Sequence, residues 1–357
     1  MTVSGTIRGP LVSDRLLGSA GAVSALSAAD MLRAAIEGRG LLLPTDLVSR
    51  VGGGASTLWK INAAQTLVVS NTSREASIDD AFECGRIAAT AALTAVHATA
   101  ATPLFARLIC ACPAAATDAA RKALVEGVAV AISDAGAVLA DAQLIEAPVL
   151  RFDVLVAGIV RPDRVRGVEG AQPDDLLILA SPLGAGIYAA AHAKRRLSDD
   201  DRRVLIAHAT RSNRVGITLG TVKNVHAVAG VGPSGLIAAT MAVAQAAGLT
   251  ATLNAAAIPA LPRALTLAKS GCVASDSSRN WNRDGARVDL AENVMPEMRA
   301  LLTDPETSGA LLIACKRDSV DRVLKLCRAE NGIDAAVIGS LSSQVVQEPR
   351  HRVTIVG

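Results

Sequence analysis

From residue 57 to residue 160 the apolar positions alternate between a period near two and a period near 3.6, the strand and helix repeats. Thr57–Ile61 and Thr66–Ser70 are short β-like runs joined by Asn62-Ala63-Ala64, which predicts a hairpin. Ile78–Val96 has helical spacing, with Asp79, Asp80 and Glu83 in its first turns, where the helix dipole favours acids. Leu104–Cys110 predicts a strand, Thr117–Ala135 a helix stopped at Gly136, and Val138–Ile145 and Val154–Val160 two further strands. The order ββαβαββ is that of a mixed α/β unit ending near Val160.

Beyond Arg161-Pro162-Asp163 a second series begins. Asp175–Ala180 reads as an apolar strand that turns through Ser181–Gly186 into a helix ending at Ala193. Gly235–Ala247, Ile258–Lys269, Met295–Leu302 and Ser319–Asn331 read as helices, and Gly309–Cys315 and Ala335–Ile338 as strands. The charged residues Lys194-Arg195-Arg196 and Asp199–Arg203 read as a solvated linker between two helices. Ahead of all this, Ala28–Glu37 is a short amphipathic helix behind Ser27, and Gly52-Gly53-Gly54 is a loop. The division predicted is an N-terminal segment over 1–50, a first domain over 51–165 and a second over 166–357. A length of 357 residues agrees with two domains.

Composition narrows the function classes. Thirty-six Lys and Arg against 33 Asp and Glu leave a net charge of +3, too even for an electrostatic nucleic-acid or membrane surface. Three Phe, two Trp and one Tyr leave almost nothing on which bases could stack. No nucleic-acid or membrane partner is expected. Val225–Pro262 and Ile87–Ala106 carry no charged residue, but Ala, Gly and Thr dominate them, so they read as buried helices, not membrane spans. The start lacks the apolar core of a secretory signal, which places the protein in the cytoplasm; Arg8, Arg15 and several hydroxyls leave a mitochondrial presequence as the other reading. Six cysteines at irregular spacing among apolar neighbours read as buried thiols of a reducing compartment. Cys110 and Cys112 share a strand face, yet no second pair completes a metal site.

Three motifs carry candidate chemistry. Gly52-Gly53-Gly54 lacks the Lys-Ser/Thr ending of a phosphate loop and reads as a turn. Pro182-Leu183-Gly184-Ala185-Gly186 is a glycine-rich strand-to-helix turn of the kind that can cradle phosphate, although a tight turn alone needs the same residues. Asp304-Pro305-Glu306-Thr307-Ser308-Gly309 reads as a capped turn ahead of a strand.

The last of these resembles a family signature. Leu301-Leu302-Thr303-Asp304-Pro305-Glu306-Thr307-Ser308-Gly309-Ala310-Leu311-Leu312 is similar to the D-P-Q-T-S-G-G-L-L segment of selenophosphate synthetases, the selenide, water dikinases. Phe82–Thr90 resembles the family's F-G-R-I-A-A helix, Gly158–Val165 its first-domain end, Pro182–Gly186 its K-P-L-G-x-G turn and Ser278-Arg279-Asn280 its T-x-R-N segment. The resemblance implies an α/β, two-domain aminoimidazole ribonucleotide synthetase-like fold. It also implies a homodimer, closed by strands of both first domains. Family members convert selenide, ATP and water into selenophosphate, AMP and phosphate. They use a Cys or selenocysteine and a Lys on a mobile loop, and Asp residues that hold Mg ions.

At the positions that the resemblance assigns to this chemistry, other residues stand. Ala22 replaces the Cys and Ala25 the Lys, and within this chain no Cys precedes Cys84 and no Lys precedes Lys60. The D-D-A turn becomes Gly54-Ala55-Ser56, and the next Asp becomes Asn71. The N-A-x-S-D helix segment becomes Ala91–Ala95, and D-V-T-G-F-G becomes Gly230–Gly235. Ser181 replaces a Lys, and Asp141-Ala142-Gln143 puts an acid where G-G-H would meet phosphate. Hard cations bridging a polyphosphate need carboxylates, and Ala55, Ala95 and Gly230 offer none, while Asn71 keeps only a neutral oxygen. The expectation is a degenerate family member without catalytic or metal-binding residues, with no resident cofactor. It would act as a dimeric binding, scaffold or regulatory protein for an unidentified protein partner. The alternative is a working selenide, water dikinase, or a related small-molecule kinase, with replaced ligands.

Overall fold

The computed structural model describes residues 47–51, 56–332, 335–343 and 352–357. Ala22, Ala25, Ala55, the expected helix Ala28–Glu37, the Gly52–Gly54 loop and the presequence reading all lie outside the described residues.

The first sheet holds β1 (Leu47–Val51), β2 (Ser56–Lys60), β3 (Thr66–Glu75), β4 (Thr102–Cys112), β5 (Val138–Glu146) and β6 (Arg151–Val160), in the order β1-β2-β3-β6-β4-β5. Only β4 and β5 run parallel, because helix α2 (Asp118–Asp134) carries the chain back between them. Helix α1 (Ala81–His97) lies with α2 on one face of the sheet. Asp80 caps α1 by accepting from the Glu83 amide at 2.9 Å, and Thr117 caps α2 through the Ala120 amide at 3.2 Å. The two helices touch backbone to backbone at paired glycines. A Cβ on Gly85 would stand 2.1 Å from the Leu124 carbonyl oxygen, and one on Gly127 2.0 Å from that of Phe82.

The other face of this sheet bears apolar side chains that stand exposed among the described residues. Phe105 of β4 pairs with Val138 of β5 and Ala157 of β6, and Trp59 of β2 with Leu67 of β3. Trp59, Phe105 and Val138 are each exposed.

The second sheet has β7 (Leu176–Leu179), β8 (Val225–Gly230), β9 (Leu249–Asn254), β10 (Val288–Leu290), β11 (Leu311–Cys315), β12 (Ala336–Ser343) and β13 (Val353–Val356), in the order β10-β13-β9-β12-β7-β11-β8. Its helices are α3 (Ala185–Ala193), α4 (Asp199–Ala209), α5 (Val215–Leu219), α6 (Gly235–Ala246), α7 (Ala264–Lys269), α8 (Ser275–Asp284), α9 (Pro296–Leu302) and α10 (Val320–Asn331). The mixed α/β class expected from the sequence is therefore the observed one.

Three expectations change. The uncharged stretch Val225–Pro262 is not a set of buried helices but β8, α6 and β9 in turn, and Ile87–Ala106 is most of α1 followed by the start of β4. The helix expected from Ile258 starts at Ala264, since Pro259 and Pro262 supply no amide hydrogen. The acids from Asp199 open α4 instead of filling a linker: Ser198 and Asp201 form a reciprocal capping box, and the three acids occupy the first turn. All six cysteines are buried and unbridged. Burial raises the thiols of Cys84 and Cys110 to about 11 and those of Cys315 and Cys327 to about 12. Among the described residues, no helix is long and apolar enough to cross a membrane.

Candidate functional site

A cleft of about 340 Å³ opens between the two sheets. The second half of β3 supplies Asn71, Ser73 and Arg74, and α1 supplies Ala91, Thr94 and Ala95. The turn after β8, from Gly230 into α6, and the Thr307-Ser308 pair before β11 close it. Of the positions singled out in the sequence, the structure thus brings Asn71, Ala95 and Gly230 to one place.

The walls hold themselves. Asn213 donates from Nδ2 to Thr94 Oγ1 at 3.0 Å and to the Gly309 carbonyl at 2.8 Å, which ties α1 to the turn before β11. Asn280, in the T-x-R-N-like segment, donates to the Pro233 and Thr303 carbonyls at 2.9 and 3.0 Å. Ser56 donates to the Ala95 carbonyl at 3.0 Å. At Gly309, where φ is +63°, a Cβ would stand 1.9 Å from the Val231 carbonyl oxygen, so no other residue fits the turn.

Among the described residues, Arg74 is the one charged side chain lining the cleft. Its Nη2 donates to the Glu306 carbonyl at 3.2 Å, and its buried Nε has no partner among the described residues. Burial lowers its pKa to about 10, and the nearby Glu306 charge partly opposes that. Beneath the cleft lies a second layer of charge. Glu306, 1% exposed, accepts the Gly184 amide on Oε1 at 2.6 Å and holds Oε2 3.6 Å from His208 Nε2. Asp304 accepts the Ile187 amide on Oδ2 at 3.0 Å. Burial, and after it the Glu306 charge, holds the Asp304 carboxyl well above the usual carboxylate range. The amides at the start of α3 are therefore taken by the protein's own acids. The Pro182–Gly186 turn is a tight strand-to-helix connection, and the capped-turn reading of Asp304–Gly309 becomes a cap on α3 from a distance in sequence.

Asp141 is not at the cleft. It lies on the edge strand β5, three strand spacings or about 14 Å from β3, where its Oδ2 accepts from Arg107 Nε at 2.8 Å. Ser181 is buried. Sequence reasoning missed Arg74 because the strand was expected to end at Ser70, while β3 runs to Glu75. It also passed over Glu306, whose departure from the signature Gln was visible in the chain.

Among the described residues, no three His, Cys, Asp or Glu side chains are placed to hold a metal ion. A Mg-polyphosphate needs carboxylate oxygens at the cation, and the described lining has none, so those residues do not fit that group.

The family described as AIR synthase related protein, C-terminal domain, matches residues 172–355. A selenide, water dikinase of Paraburkholderia xenovorans (strain LB400) is 36% identical over 301 residues, covering 84% of this chain and 85% of the relative. The thiamine-monophosphate kinase of Stenotrophomonas maltophilia K279a superposes with a TM-score of 0.64 at 19% identity, over 92% of this chain and 97% of that one. HypE of E. coli, a hydrogenase maturation protein, does so with a TM-score of 0.61 at 19% identity, over 82% of each chain. The structural likenesses speak for the fold, and the identity with the dikinase speaks for descent. By both, this chain belongs to the selenide, water dikinase family and is built on the AIR synthase-related fold.

Proposed function

We propose that this family member acts as a homodimeric binding protein in selenium metabolism and does not carry out the dikinase reaction. The observation that supports this reading is the charge of the cleft. Among the described residues, Asn71, Ala95 and Gly230 line it with a single cation, Arg74, and no carboxylate. A cleft that carries positive charge without acids attracts an anion directly and has nothing with which to hold a bridging divalent ion. Ala22 and Ala25, at the positions aligned with the reactive Cys and Lys, offer neither a selenide carrier nor an ammonium for a transferring phosphoryl group. Homodimerisation is supported by the uncovered outer face of the first sheet, where Trp59, Phe105 and Val138 expose large apolar surfaces.

Thermal unfolding with Mg-ATP tests the reading. A competent site at about 100 times its Kd stabilises by about 2.7 kcal/mol, which shifts the midpoint by roughly 5–10 °C. The expected shift is within about 1 °C, with Mg or with Mn. A metal-dependent rise of several degrees, or AMP formed from ATP and selenide in proportion to the protein, would favour the kinase reading. The shared fold with thiamine-monophosphate kinase keeps that reading in view.

A further inference from the structure

The charged segment between α3 and α4 has a use beyond solvation. Lys194 and Arg196 turn back onto the end of α7: Lys194 Nζ donates to the Gly271 carbonyl at 2.6 Å and Arg196 Nη1 to the Ser270 carbonyl at 2.9 Å. Arg195, between them, takes the left-handed position that ends α3, with φ of +54°, and Arg196 N donates to the Ala191 carbonyl at 2.9 Å. Glycine or asparagine is the usual residue there, and an arginine stands at a cost in backbone strain.

Arg195 and Arg202 line a cleft of about 610 Å³ formed with Ala76–Asp79, the segment between β3 and α1. Among the described residues neither guanidinium meets a carboxylate, and Arg202 Nε is buried with no hydrogen-bond partner. The acid at the cleft, Asp79, faces His192, with Oδ2 3.3 Å from Nε2. Two guanidiniums that meet no carboxylate among the described residues therefore line one polar space, which they share with Asp79, and planar guanidiniums match the oxygens of a phosphate. The volume lies within the range of small-ligand sites and exceeds what a bare phosphate ion fills.

We propose that this cleft binds the phosphate group of a small phosphomonoester through Arg195 and Arg202. The site is separate from the cleft around Arg74 and stands whether or not that one binds nucleotide.

Calorimetric titration of the full chain with glycerol 3-phosphate tests it. Saturable binding with a Kd of about 1 mM or tighter is expected, weakened about ten-fold or more in Arg202→Met and in Arg195→Gly. Arg202→Met keeps the apolar stem, and Arg195→Gly removes the strained φ, so its melting midpoint should equal or exceed the parent's. Arg74→Ala should leave the affinity unchanged. Absence of saturation at about twenty times that concentration overturns the proposal, as does wild-type affinity in both cleft variants, or loss of binding in Arg74→Ala alone. Inorganic phosphate binding as tightly as the ester overturns the assignment of the remaining space to an esterified group.

Discussion

Replacing Asp304 by Asn tests the buried acid layer most directly. Asp304 has no exposed surface; its Oδ2 accepts the Ile187 amide at 3.0 Å, and its Oδ1 meets no partner. Asn keeps the acceptor and the volume but not the charge. The amides of Gly186 and Ile187 favour the ionised form, while burial and the Glu306 charge favour the acid, and burial is the largest of these effects. The folded state thus holds the Asp304 proton more tightly than the unfolded chain. Stability from this group is complete below the ordinary value of 3.8 and is lost as pH rises through the elevated folded value. A buried charge that lacks a full set of partners costs about 1–3 kcal/mol or more, a cost that the neutral amide does not carry. Asp304→Asn should match the parent within about 0.5 kcal/mol near pH 4 and exceed it by about 1–3 kcal/mol near pH 8, as read by urea unfolding across pH. A variant less stable than the parent at pH 8, or a difference that does not change with pH, would refute the reasoning. The ionised carboxylate at the start of α3 would then be what holds the turn.

Three further outcomes follow from other parts of the molecule. His97 is fully buried with neither ring nitrogen paired, and burial, aided by Arg214, lowers its pKa from 6.5 to about 4. Its contribution is complete above pH 6.5 and lost towards pH 4, so in acid unfolding His97→Leu should gain on the parent by about 3 kcal/mol over that window. Gly85→Ala drives a Cβ to 2.1 Å from the Leu124 carbonyl oxygen, and chemical unfolding should show a loss of about 1–3 kcal/mol or more. Phe105→Asp, on the exposed sheet face, should give a folded monomer by light scattering and circular dichroism, where the parent is expected to run as a dimer.

What the sequence revealed depended on how local the cause was. The hairpin of β2 and β3 and the spans of α1 and α2 follow from neighbours within a few residues, and they stand close to where the pattern put them. The elements that were missed share a different cause. β10 and β13 are short strands paired parallel across more than sixty residues, with little alternation of their own. The Asp304–Glu306 layer was read as a local turn, because nothing near it in sequence shows that its partners are the amides at the start of α3, more than a hundred residues away. The family resemblance singled out Asn71, Ala95 and Gly230, which line one cleft, whereas pattern alone gave no reason to connect them. The same resemblance put Asp141 against phosphate, and the strand order of one chain puts it elsewhere.

The proposed reading requires that a fold keep its shape while its chemistry changes. Carboxylates gathered to hold a divalent ion repel one another when the ion leaves, by about 4 kcal/mol for a pair 4 Å apart at an effective dielectric near 20. On the proposed reading Ala95 and Gly230 stand at two such positions, and that repulsion is absent there. The walls depend instead on bonds that make no use of a ligand: Asn213 from α1 to the Gly309 turn, Asn280 from α8 to the Pro233 turn, and Arg74 to the Glu306 carbonyl. A Cβ at Gly230 would meet nothing within 4 Å, so the space that a longer side chain would occupy is still open. Shape and charge are therefore separable here. The first is fixed by buried amides and tight glycine turns, whereas the positions of Ala95 and Gly230 take no part in those bonds through their side chains, so their charge is free to differ without disturbing the walls.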